Sequence, residues 1–124
     1  MTQSSEIEVA VTEIPSIENG FLLTFDGNLD SLNVQKVSQQ FDDLLQSSSI
    51  HLIADFQKLR YINSTGLGIL LQVSKRVKDQ SSSFSLCHIA STIQEIIDLV
   101  GVTPLLDIYP TREEAITRVT RSLQ

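Results

Sequence analysis

The sequence has a single cysteine, Cys87, so a disulfide within the chain is excluded. The thiol lies inside the apolar run Phe84 to Ile89 and reads as a buried group in a protein of a reducing compartment. Positive charge is also scarce. Nine lysines and arginines stand against fifteen aspartates and glutamates, a formal net charge of −6. That balance argues against nucleic acid or an anionic membrane as partner, because both reward clustered cations. No stretch approaches the roughly 20 apolar residues that a bilayer-crossing helix needs. The opening "MTQSSEIEV" has neither the basic start nor the apolar core of a secretion leader. The expectation is a soluble, cytoplasmic protein. At 41% hydrophobic content, 124 residues suffice for one packed core. With no linker or internal repeat, residues 1–124 read as one domain.

What is present is regular alternation. Ile7, Val9 and Val11 alternate with polar neighbours as a half-buried strand does. Asn19-Gly20 punctuates, and "FLLTFDG" reads as a second strand, forming a hairpin with the first. Val34, Val37, Phe41, Leu44 and Leu45 fall at helical spacing, with Asp30 or Ser31 available as the cap. The nearly continuous apolar run Ile50 to Phe56 suits a central strand covered on both faces. A helix over Gly66, Leu67, Leu70, Leu71, Val73 and Val77 follows, with Lys75, Arg76 and Lys78 complementing the dipole in its last turns. "SFSLCHIA" is a further strand. Ser91 to Gln94 matches a capping box before a helix that buries Ile93, Ile96, Ile97 and Val100 and ends at Gly101. "LLDIYP" is a short last strand. Thr111 to Glu114 matches a second capping box, opening a helix with Ile116, Val119 and Leu123 inward. The fold expected is α/β, with a mostly parallel sheet that starts with an antiparallel hairpin and about four helices.

Catalytic machinery is hard to assemble from these residues. His51 and His88 lie in separate strand patterns with no cysteine, serine or aspartate arranged around them as in a triad. One cysteine and two isolated histidines do not make a zinc site, and neither a Walker loop nor a GxGxxG is present. No metal, cofactor or enzymatic activity is expected.

The most informative stretch is "YINSTGLGILLQVSKRVKD", Tyr61 to Asp79. An amide and two hydroxyls, Asn63, Ser64 and Thr65, stand at the mouth of a helix whose first turn holds Gly66 and Gly68. Capping by Ser64 or Thr65 explains one hydroxyl. It does not explain two glycines, each costing about 0.5–1 kcal/mol in a helix relative to alanine. Close approach of another backbone would favour small residues there. A hydroxyl at a helix N-terminus is also a favourable place for phosphate, since free N–H groups and the dipole stabilise anions. Capping alone and capping with modification both remain open on these grounds.

"LRYINSTGLGILL" resembles the signature of bacterial anti-sigma factor antagonists of the STAS family, usually Asp, Ser, Ser or Thr, then Gly-Leu-Gly. "GNLD", Gly27 to Asp30, is similar to the family's Gly-x-Leu/Ile-Asp after the second strand. The closing "LVGVTPLLDIYPTREEAITRV" is similar to its final glycine, apolar stretch and Thr-x-Glu-Glu-Ala helix. The resemblance runs through residues 7–122 in order.

It implies a phosphorylation switch. The family's phosphoacceptor position falls on Ser64, with Thr65 as fallback. Asp30, Asn63, Thr65, Gly66, Leu67 and Gly68 fall on its partner-binding surface. The unphosphorylated form would bind an anti-sigma factor that is also a serine kinase. Phosphorylation would release it, and a PP2C-type serine phosphatase would reset it. Monomer or weak dimer is the expected state. One departure stands out: Asn63 replaces the family's aspartate, and an amide lacks the carboxylate's charge while keeping its size. The rival readings are a constitutive scaffold or lipid-transport module of the same fold, and an enzyme with Ser64 as nucleophile, which would need a base nearby.

Overall fold

The structure is a computed structural model that describes residues 6–124. The leader reading of the opening residues falls largely on 1–5, outside that range. Its elements follow the expected order: β1 (Ile7–Glu13), β2 (Gly20–Leu29), α1 (Val34–Leu44), β3 (His51–Ile62), α2 (Ser64–Asp79), β4 (Ser83–Cys87), α3 (Ser91–Val100), a 3₁₀ turn (Thr103–Leu105), β5 (Asp107–Tyr109) and α4 (Arg112–Ser122). The five strands lie in sequence order in one sheet. β1 pairs antiparallel with β2, from Ile7 opposite Gly27 to Glu13 opposite Phe21, and β2 to β5 run parallel.

Strands laid side by side in sequence order, each joined by a right-handed crossover, send every crossover helix to the same face. The main core reflects this. Val37 and Phe41 of α1, Leu67, Leu70, Val73 and Val77 of α2, and Ile93 and Ile97 of α3 pack with Leu23, Phe25, Leu52, Ala54, Phe56 and Leu86 of the sheet. Phe25 meets Phe56 edge-on at 4.9 Å between centroids, and Phe41 meets Phe84 at 5.4 Å. The opposite face is covered by α4, whose Ala115 and Val119 pack on Ile53, Leu22 and Cys87 together with Ile14 and Ile17. β3 is therefore apolar on both sides, the physical reason for its unbroken run.

Several local expectations need correction. β3 continues beyond Phe56 to Ile62, still paired with β2, with irregularities in register between Thr24 and Asp26 and between Gly27 and Asn28. Leu59 and Ile62 stay buried while Lys58, Arg60 and Tyr61 face out. Asp30 and Ser31 do not cap α1; Asn33 holds that position and makes no side-chain cap bond. α3 starts after Ala90 without a side-chain cap, so Ser91 is its first residue and no capping box forms. Val100 and Leu123 are exposed, Val100 as the last residue of α3 and Leu123 as the residue that follows α4. Thr111 does cap α4, accepting the Glu114 N–H, and Gly101 does end α3 in the left-handed conformation at φ 83°.

Candidate functional site

The site forms where β2 and β3 end and α2 begins. Asn63, extended in backbone, is the cap of α2: its Oδ1 accepts the Gly66 N–H at 3.0 Å. Neither Ser64 nor Thr65 caps, contrary to expectation. An amide one residue earlier reaches the same orphan donor, so Ser64 is the first helical residue and its side chain is released outward. Ser64 and Thr65 are both exposed. No group among the described residues hydrogen-bonds either hydroxyl.

The other half of the Asn63 amide faces the turn after β2. Its Nδ2 donates to Ser31 Oγ at 3.1 Å, tying the α2 mouth to the β2–α1 connection. That connection is itself well tied. Asp30 Oδ1 accepts the Leu32 N–H at 3.0 Å, and the Asp30 carbonyl accepts from Asn33 and Val34. Asn33 turns back, accepting the Asp30 N–H at 3.0 Å and donating to the Asn28 carbonyl. Asp30 thus shapes the turn that Ser31 ties to the α2 mouth rather than capping the helix.

The two glycines have different reasons. A Cβ on Gly66 would lie 2.3 Å from the Leu29 carbonyl oxygen, so that glycine lets α2 start against the end of β2. A Cβ on Gly68 would meet nothing within 4 Å. Nothing inside the domain requires it. Gly68 shares the Ser64 face of the helix, four residues on, and leaves that face low. The Leu67 side chain enters the main core and the residue is buried, so it takes no part in the surface. The surface at the mouth is therefore Ser31, Asn63, Ser64, Thr65 and Gly68, with Asp30 behind it. Gly27 of the preceding motif has φ 125°, and a Cβ there would strike the Glu6 carbonyl oxygen, so β1 can close only on glycine.

The histidines and the cysteine lie elsewhere. His51 opens β3 while Ser64 follows its far end, a strand length of roughly 35 Å away. Its Nδ1 is 2.8 Å from Ser83 Oγ, and burial lowers its pKa. His88 Nε2 accepts the Arg112 N–H at 3.4 Å. Burial pushes the Cys87 thiol up to about 12, the Asp55 charge adding to the rise, so it is a packing group rather than a nucleophile. Asp55 itself was not singled out from the sequence. It is 1% exposed, and Arg112 of α4 holds its Oδ2 at 2.8 Å, a pairing 57 residues apart in the chain that no local pattern announces. No cluster of three or more metal-ligating side chains occurs among the described residues. None of their helices is long and apolar enough to cross a membrane.

This geometry matches known proteins over most of its length. The anti-sigma F factor antagonist of Paenibacillus polymyxa is 22% identical over 99 residues, 79% of this chain and 85% of that protein. The anti-sigma-F factor antagonist RsfB of Mycobacterium tuberculosis is 23% identical over 120 residues, 96% and 94% of the two chains. The crystal structure of an anti-sigma factor antagonist from Mycobacterium paratuberculosis superposes with a TM-score of 0.82 at 19% identity, covering 96% of this chain and 98% of that one, which establishes a shared fold. The STAS domain model matches residues 8–115, with the Ser64 mouth inside the match, and the chain belongs to the STAS domain family.

Proposed function

We propose that this protein is an anti-sigma factor antagonist controlled by phosphorylation, with Ser64 as the acceptor. Unphosphorylated, it binds an anti-sigma factor that is also a serine kinase; phosphate on Ser64 separates the two, and a PP2C-type phosphatase restores the binding form. The observation that carries this reading is the exposed Ser64 hydroxyl on the first residue of α2, beside a glycine that the domain does not need. A phosphate there adds about −1.5 to −2 charges to the partner-facing surface without displacing any core group. Losing about 1.4 kcal/mol at an interface weakens it tenfold, so a local charge suffices. Names of relatives support the antagonist role. Asn63 favours the second reading, a constitutive scaffold, because it withholds a carboxylate from the acceptor.

The test is the intact mass of the protein isolated from its host, growing and stressed, with fragment mapping of residues 61–76. Phosphate on Ser64 whose occupancy changes with condition supports the switch. Phosphate on Thr65 keeps the mechanism and moves the site. An unmodified chain in every condition overturns the switch in favour of the scaffold.

A further inference from the structure

Leu32 is 75% exposed although its turn is held by the Asp30 and Asn33 side chains. A leucine on a loose loop can fold back onto the domain; this one is kept outward. It forms one wall of a groove of about 460 Å³, with Glu6, Ile7, Glu8, Asn33 and Lys36 completing the lining. Among the described residues the groove carries two carboxylates and one cation, the Lys36 ammonium, which donates to the Ile7 carbonyl at 2.9 Å. An apolar wall beside two carboxylates complements a lysine or arginine next to an apolar side chain. Leu32 directly follows Ser31, whose hydroxyl accepts from Asn63, the residue before Ser64, so the turn that carries this wall is the one tied to the α2 mouth.

We infer that this groove is a second contact for the partner: it receives a segment of the anti-sigma factor kinase bearing a cation beside an apolar residue. The cation lies between Glu6 and Glu8, and the apolar group packs on Leu32. This rests on the function proposed above and adds the chemistry of the partner surface. Among the other exposed apolar residues, Leu105 lies at the opposite end of the sheet, beside the start of β4, and serves as a control.

The test uses the serine-kinase anti-sigma factor encoded in the same genome, purified, with the unphosphorylated protein. Titration calorimetry at low and high salt gives the affinity of wild type, Leu32→Ala, the double variant Glu6→Gln/Glu8→Gln, and Leu105→Ala. Unchanged thermal midpoints establish that the variants fold. Leu32→Ala is expected to weaken binding by about tenfold or more, as truncation of an interface anchor does. The double glutamine variant is expected to lose most of the salt dependence, and Leu105→Ala to bind as wild type. Wild-type affinity for both groove variants at both salt concentrations overturns the inference alone. Failure of wild type to bind any such kinase overturns the proposed function and the groove with it. Self-association that Leu32→Ala abolishes, with kinase binding intact, assigns the groove to a second copy of this chain and overturns the kinase contact.

Discussion

Gly66 packs against the Leu29 carbonyl so closely that a Cβ would lie 2.3 Å from the oxygen, whereas Gly68, one residue beyond Leu67, faces open space. Gly66→Ala is expected to destabilise the fold by about 1–3 kcal/mol, since the obstructing atom is backbone and must shift. Gly68→Ala is expected to stabilise it by about 0.5–1 kcal/mol through helix propensity. Urea unfolding of the two variants measures both. A stabilised Gly68→Ala that also binds the proposed kinase partner less well would place that glycine's value outside the domain.

Asn63 joins the α2 mouth to the β2–α1 turn through two hydrogen bonds. Asn63→Ala is expected to cost about 1 kcal/mol from the lost cap. Asn63→Asp keeps both contacts, with the Ser31 hydroxyl now donating, and adds a negative charge at a helix N-terminus, worth about 0.3–1 kcal/mol at neutral pH. Equilibrium unfolding checks the stability. Phosphorylation rates of wild type and Asn63→Asp, measured with the proposed kinase partner, then report the carboxylate's effect on transfer with the fold held constant.

The Asp55–Arg112 pair fastens α4 to β3, and only the arginine reaches solvent. Arg112→Met strands the Asp55 carboxylate in the interior with one remaining donor, the Gln57 N–H. The expected loss is about 3 kcal/mol, the low end for a broken buried pair, because the arginine side chain is itself 39% exposed. Asp55→Val combined with Arg112→Met should lose far less, since no charge is left buried. Thermal or urea unfolding of the single and double variants decides it.

His51 gives a pH dependence of definite sign. Burial lowers its folded-state pKa below 6.5, so the unfolded chain takes up the proton first as pH falls. Stability is therefore unaffected by this group above about pH 7 and declines as pH drops through 6.5 toward the folded-state value. Urea unfolding between neutral and mildly acidic pH should show the decline, and His51→Gln should reduce it. An identical pH slope in the variant would remove His51 as its source.

The order of elements was legible because period-2 and period-3.6 apolar patterns are local and the buried residues here obey them. Gly101 and Thr111 were legible for the same reason: a left-handed cap and an N-cap are decided within a few residues. The cap of α2 was not, since Asn63, Ser64 and Thr65 are all competent acceptors and only the angle between β3 and the helix selects Asn63. Val100 and Leu123 fit their helical stripes, yet both stand at the C-terminal ends of their helices and are exposed, and whether a stripe position is covered depends on distant packing.

For the site, the sequence alone determined that hydroxyls and glycines gather at one helix mouth, which fixes which atoms are available there. Tertiary structure decided their roles. The Leu29 carbonyl makes Gly66 structural and leaves Gly68 free for an outside surface. The Ser31 hydroxyl, 32 residues from Asn63, joins the turn that carries Leu32 to the mouth of the helix. Asp55 and Arg112 meet only once α4 crosses the sheet. Each of these depends on approaches between distant segments, set by whole-core packing rather than by neighbours in the chain.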